Sequence, residues 1–114
     1  MERADKILEE IVERCGRMGV YERRSVSDKY CELVFYNKEI DEWKKTFTDI
    51  LGPAAKPAGA KPAREDIRLT KDHGGVHDDQ TLFKKEHDEV TVIAMFWPWQ
   101  DHAHTTLKIA LLKK

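Results

Sequence analysis

Four of the five histidines stand in two close pairs, His73-xxx-His77 and His102-x-His104, and both pairs have aspartates as neighbours. Imidazole titrates near neutrality and ligates transition metals, so such pairs are candidate general bases or metal ligands. On extended chain an i, i+2 pair points both rings to one side. The i, i+4 pair needs a helix to do the same, and "HGGVH" with its two glycines is a poor helix former. Zinc takes three or four His or Cys ligands, with carboxylate as a further option. Asp72, Asp78, Asp79 and Asp101 are placed to contribute one. If the segment around 70–79 folded back over the chain near 102, His73, His77, His102 and His104 would meet as a zinc or nickel site. No CxxC or HExxH spacing supports that reading, and no cofactor is expected without it.

Trp99 supplies a second signal. It follows Pro98 in "FWPWQDHAH", beyond the apolar run that ends at Trp97. Either it folds back over the open end of the core, or it stays partly exposed as an anchor of the kind enriched in binding sites. The glycine pair of "HGGVHDD" reads as a turn, because a phosphate-cradling loop would need the GxxxxGK[ST] pattern and no flanking acids. GxSxG and the dinucleotide fingerprint are also missing, and both Cys15 and Cys31 fall on apolar patterns, unlike a reactive thiol. Nothing in these motifs fixes a reaction.

The elements that must position these residues follow from hydrophobic periodicity. Ile7, Leu8, Ile11, Val12, Cys15 and Met18 draw one stripe on a helix over 4–18, closed by Gly16 and Gly19. "VYERRSVSDK" has no clean period and reads as a loop or irregular strand. "YCELVFYN" alternates as a strand, with Cys31, Leu33 and Phe35 on one face and Tyr30, Val34 and Tyr36 on the other beside Glu32. Asn37 then reads as the N-cap of a helix through Ile40, Trp43, Phe47, Ile50 and Leu51, which stops at Gly52-Pro53. Tyr36 and Trp43 are read as core or core-rim residues.

"GPAAKPAGAKPA" follows, with three prolines and no large apolar group, and predicts an extended, flexible, solvated loop at about 53–63. Ile67 and Leu69 fit either a short strand or the last turn of a helix. The end of the chain reads as β: "QTLFKKE", a polar "HDE" turn, "VTVIAMFW" ended by Pro98, and "TTLKIALL" with Leu107, Ile109 and Leu111 inward and Thr106 and Lys108 outward. The expectation is one α+β domain over 1–114: α-β-α, then an antiparallel β-meander, about four strands with helices packed on one face.

Composition narrows the partners. The 114 residues carry 20 basic and 21 acidic side chains for a net charge of -1, without the basic patch that nucleic-acid binding requires. The longest apolar run is too short to span a bilayer, and the charged amphipathic N-terminal stretch is unlike a signal peptide. A cytoplasmic monomer or homodimer with two reduced cysteines is expected. The functional expectation is a non-enzymatic binding module for a small molecule or protein. Its surface would be Trp99, Asp101, His102 and His104 at the hairpin tip 98–104, bordered by the loop 64–79, with the histidine metal site as the alternative.

Overall fold

The structure, a computed structural model, describes residues 4–18, 20–26, 30–87 and 90–113. Gly19, Asp88 and Glu89, read above as a helix end and a turn, lie outside the described residues, as does the Leu8 side chain. The elements run α1 (Ala4–Gly16), β1 (Glu22–Val26), β2 (Tyr30–Tyr36), a 3₁₀ turn (Asn37–Glu39) and α2 (Ile40–Leu51). They continue with α3 (Arg64–Thr70), a second 3₁₀ turn (Lys71–His73), β3 (Thr81–His87), β4 (Val90–Pro98) and β5 (His104–Lys113). The fold is α+β, as the periodicities predict. No helix among the described residues is long and apolar enough to cross a membrane.

The five strands form one antiparallel sheet in the order β1-β2-β5-β4-β3. The last strand therefore lies at the centre, paired with β2 on one side and β4 on the other. Leu107, Ile109 and Leu111 form its apolar face, and Thr106 and Ala110 are buried on the other, so the strand is covered on both sides. The fifth strand, beyond the four expected, is β1. Its register against β2 shifts between Arg23 and Ser25, and that bulge erases the period-2 signal by which a strand is read.

On one face of the sheet α1 contributes Ile7, Ile11 and Cys15, and α2 contributes Trp43, Phe47, Ile50 and Leu51. They pack on Cys31, Leu33 and Phe35 of β2 and on the matching positions of β4 and β5. Phe35 and Trp43 stack with ring centroids 4.7 Å apart. Both cysteines are buried here as free thiols. Asn37 does not cap α2: it opens the 3₁₀ turn, and its Oδ1 accepts a hydrogen bond from Thr105 Oγ1. Its backbone N–H also donates to the Ala103 carbonyl at 2.9 Å. Asn37 thus fastens the exit of β2 to the β4–β5 hairpin. At the other end of α2, Gly52 takes φ 88° and ψ 179°, a conformation reserved for glycine.

The two expected helices share one side, and the second face is covered as well, by the segment that contains α3. Val76 is buried against Leu82, Ile93, Met95 and Ala110, and the segment from Arg64 lies over this face. Periodicity cannot decide α3, because it buries polar residues while Ile67 is exposed and Leu69 only half-buried. Ile67 is 50% exposed, whereas Asp66 and Thr70 are buried. Asp66 Oδ1 accepts a 3.0 Å bond from Lys84 Nζ of β3, and Thr70 Oγ1 donates to the Asp66 carbonyl and accepts the Val76 N–H at 2.9 Å. Hydrophobic periodicity contains no record of such a polar seam. Thr106 and Lys108 also fail to be outward in the solvated sense: Thr106 is buried, and the Lys108 ammonium lies 3.8 Å over the Trp97 ring.

The Pro/Ala-rich tract has one residue to bury after all. Lys56 is 2% exposed and pairs in a single bridge with Leu82 of β3. Its ammonium donates to the carbonyls of Pro57, Asp78 and Gln80, three acceptors for three protons.

Candidate functional site

The β4–β5 hairpin builds its tip from local hydrogen bonds. The Trp99 N–H donates to the His104 carbonyl at 2.9 Å, closing the connection, and the His102 N–H donates to the Trp99 carbonyl at 3.3 Å. Asp101 organises the inside of the turn: Oδ1 accepts the N–H groups of Ala103 (2.8 Å) and His104 (3.1 Å). These bonds, the Ala103 one first, then the His104 side chain, hold its carboxyl below the usual carboxylate range. An ionised carboxylate only accepts, so the 2.6 Å bond between Asp101 Oδ2 and His104 Nδ1 carries the proton on Nδ1. Asp101 therefore fixes both the orientation and the tautomer of His104. His102 sits at φ 59°, the left-handed region that non-glycine residues rarely adopt.

His104 is enclosed by aromatic rings. Its centroid lies 4.4 Å from Tyr21, 4.9 Å from Trp99 and 5.3 Å from Tyr36. Each ring is placed by the sheet. Tyr36 faces His104 directly in the β2–β5 register, and the Tyr21 N–H donates to the Val34 carbonyl at 2.8 Å, which sets it beside β2. Trp99 is half-buried, its Nε1–H donating to Thr106 Oγ1 at 2.7 Å, with the Arg24 guanidinium 5.4 Å over its ring. Tyr21 and Tyr36 meet edge to face at 5.4 Å. Arg24 is held by Glu22 (3.1 Å) and Glu32 (3.6 Å), and the Lys38 ammonium stands 5.5 Å over Tyr36.

Of the four residues expected at the tip, Asp101 and His104 are joined, Trp99 packs on His104, and His102 is exposed at the turn. The other histidine pair sits elsewhere. His73 stacks on Tyr30 at 5.3 Å, and its carbonyl accepts from Lys108 Nζ. His77 lies edge-on to Trp97 at 6.1 Å. Tyr30 and Tyr36 are six residues apart on one strand, which separates the surroundings of His73 and His104 by about 20 Å. Asp72, Asp78 and Asp79 are exposed. Among the described residues no three His, Cys, Asp or Glu side chains converge as a metal-binding group. Gly74 passes directly over Trp97: a Cβ built on it would fall 2.4 Å from Trp97 Cη2. The loop thus borders the tip through Trp97, not by bringing its imidazoles to His104.

Tyr21, Tyr36 and Arg24 are the parts of this site that sequence reasoning missed. Tyr36, read as core or core rim, is 38% exposed, and Tyr21 is 49% exposed. One signal was present. Tyr36 shares the Glu32 face of its strand and comes last before the turn, where a strand leaves the covered part of a sheet. Tyr21, preceding a bulged strand, gave none. Searches of family models, curated proteins and solved structures return no match to this chain, so the site stands on its own geometry.

Proposed function

We propose that the protein is a non-enzymatic binding module, for a small molecule or a protein, whose recognition surface is the aromatic cluster around His104. One observation carries this. Of the three large hydrophobic side chains exposed among the described residues, Tyr21, Tyr36 and Ile67, two belong to this single cluster. Exposed apolar groups scattered singly need no explanation, whereas adjacent ones rimmed by charge mark interaction sites. The His102 backbone adds support, since strained positive-φ residues collect at functional turns. A fragment screen followed by backbone amide shifts tests the reading. Hits are expected to move residues 98–104 together with Tyr21 and Tyr36, and hits clustered elsewhere would remove the proposed surface.

A second reading keeps a transition metal at the same tip. It is favoured by the Asp101–His104 bond, because metal-ligating histidines commonly donate their other ring N–H to a carboxylate. His102 would be the second ligand and His73 and His77 would take no part. A zinc or nickel titration separates the two readings: the binding module predicts an unchanged melting temperature, and a stoichiometric rise would favour the metal.

A further inference from the structure

Resting on the aromatic surface just proposed, the chemistry left unsatisfied around it names the class of ligand. The polar edges of the cluster divide into groups already in use and groups still open. Trp99 Nε1–H is spent on Thr106, and the Asp101 carboxylate is spent on two backbone N–H groups and His104. Arg24 is paired with both Glu22 and Glu32. Among the described residues the Tyr21 and Tyr36 hydroxyls make no hydrogen bond, and the Lys38 ammonium makes no ion pair, resting only over the Tyr36 ring at 5.5 Å. The open groups beside Tyr36 are therefore two exposed aromatic rings, two hydroxyls able to donate, and one unpaired cation, whereas Glu22 and Glu32 are gathered on Arg24 at Trp99.

We propose that this surface takes a planar aromatic ligand bearing one anionic group, its ring packed on Tyr21 and Tyr36 and its anion on the Lys38 ammonium. Aromatic pairs in offset or edge-to-face geometry gain beyond simple area burial, which selects a planar ring over an aliphatic one. An anion accepts from the hydroxyls and pairs with the ammonium at once, and charge-assisted bonds are the stronger kind. A cationic ligand stacked on Tyr36 would meet the unpaired Lys38 ammonium.

The test is an amide-shift titration of the full chain with benzoate and with its neutral isostere benzamide, repeated on Lys38→Gln. Lys38 is exposed, so the substitution leaves the fold intact. Benzoate is expected to shift Tyr21, residues 36–38 and residues 99–104, and to bind at least fivefold more tightly than benzamide. In Lys38→Gln that preference is expected to disappear, the two probes binding that variant with equal affinity. Equal affinity for the two probes, or a preference that survives Lys38→Gln, would overturn the ligand class. If neither probe binds while other fragments still shift residues 98–104, the ligand class falls and the recognition surface stands. If no fragment shifts them, both fall.

Discussion

Asp101 holds His104 in place through its whole carboxylate: Oδ2 accepts the imidazole Nδ1–H at 2.6 Å while Oδ1 gathers the Ala103 and His104 backbone N–H groups. Aspartate three residues before a histidine is a commonplace pair in a polar turn. Here it fixes an imidazole that three aromatic rings surround.

Acid should loosen this tip only below the range in which an ordinary aspartate protonates. The Asp101 carboxyl is held below its ordinary value, chiefly by the Ala103 N–H and then by His104. A depressed folded value means the contribution is complete above the unfolded value of about 4 and is lost as pH falls through the lower folded one. Ala103 and His104 amide shifts should move together below about pH 4. In Asp101→Asn both amides should already hold the acid positions at neutral pH.

Gly74→Ala should destabilise the second face. The position has φ 95°, and the new methyl would fall 2.4 Å from Trp97 Cη2. Left-handed backbone and displacement of a packed indole together predict a loss of about 2–4 kcal/mol in urea unfolding. Gly75 also has positive φ but open space around it, so Gly75→Ala should cost only the backbone part, about 1–2 kcal/mol. Equal losses at the two sites would mean that Trp97 is not pinned by Gly74.

Lys56→Met tests the buried ammonium. The substitution keeps most of the apolar stem and leaves the carbonyls of Pro57, Asp78 and Gln80 without their donor. Removing one partner from buried polar groups costs about 1–3 kcal/mol, so the urea midpoint should fall accordingly. Hydrogen exchange should quicken at Leu82 and Gly59, whose N–H groups bond to Lys56 and Asp78 carbonyls. An unchanged midpoint would show that the ammonium does not tie the Pro/Ala-rich tract to β3.

The buried thiols predict alkaline sensitivity. Burial, followed by the neighbouring Cys31, pushes the Cys15 thiol up to about 12. A raised folded value gives full stability below the unfolded value near 9, and a loss of about 1.4 kcal/mol per pH unit above it. Cys15→Ala should flatten the fall in stability between pH 9 and 11. Iodoacetamide should label Cys15 slowly in the native protein and rapidly in denaturant.

Periodicity made much of this fold legible: the stripe Ile7-Ile11-Cys15, the alternation of Cys31, Leu33 and Phe35, the α2 spacing through Leu51, and the strands of the C-terminal third. These elements are stabilised by apolar burial, and apolar burial leaves a pattern in sequence. Strand β1 stayed undecided between a loop and an irregular strand because a bulge breaks the two-residue period. Helix α3 stayed undecided between strand and helix because its buried contacts are Asp66 to Lys84 and Thr70 to Val76, polar seams with no hydrophobic trace.

The site divides in the same way. The pairing of Asp101 with His104 is local, since both lie in one turn, and residue types at short spacing were enough to single them out. The rings of Tyr21 and Tyr36 reach His104 only because β5 lies against β2, a neighbour 68 residues away in the Tyr36–His104 register (104 less 36). Pairing order is a property of the whole sheet, settled by which strand must be buried on both faces. The separation of His73 from His104 has the same origin: the loop crosses the sheet to cover Trp97 and Met95, because the second face also needed burying. The sequence by itself determined which residues turn the last hairpin, and tertiary structure decided which rings surround them.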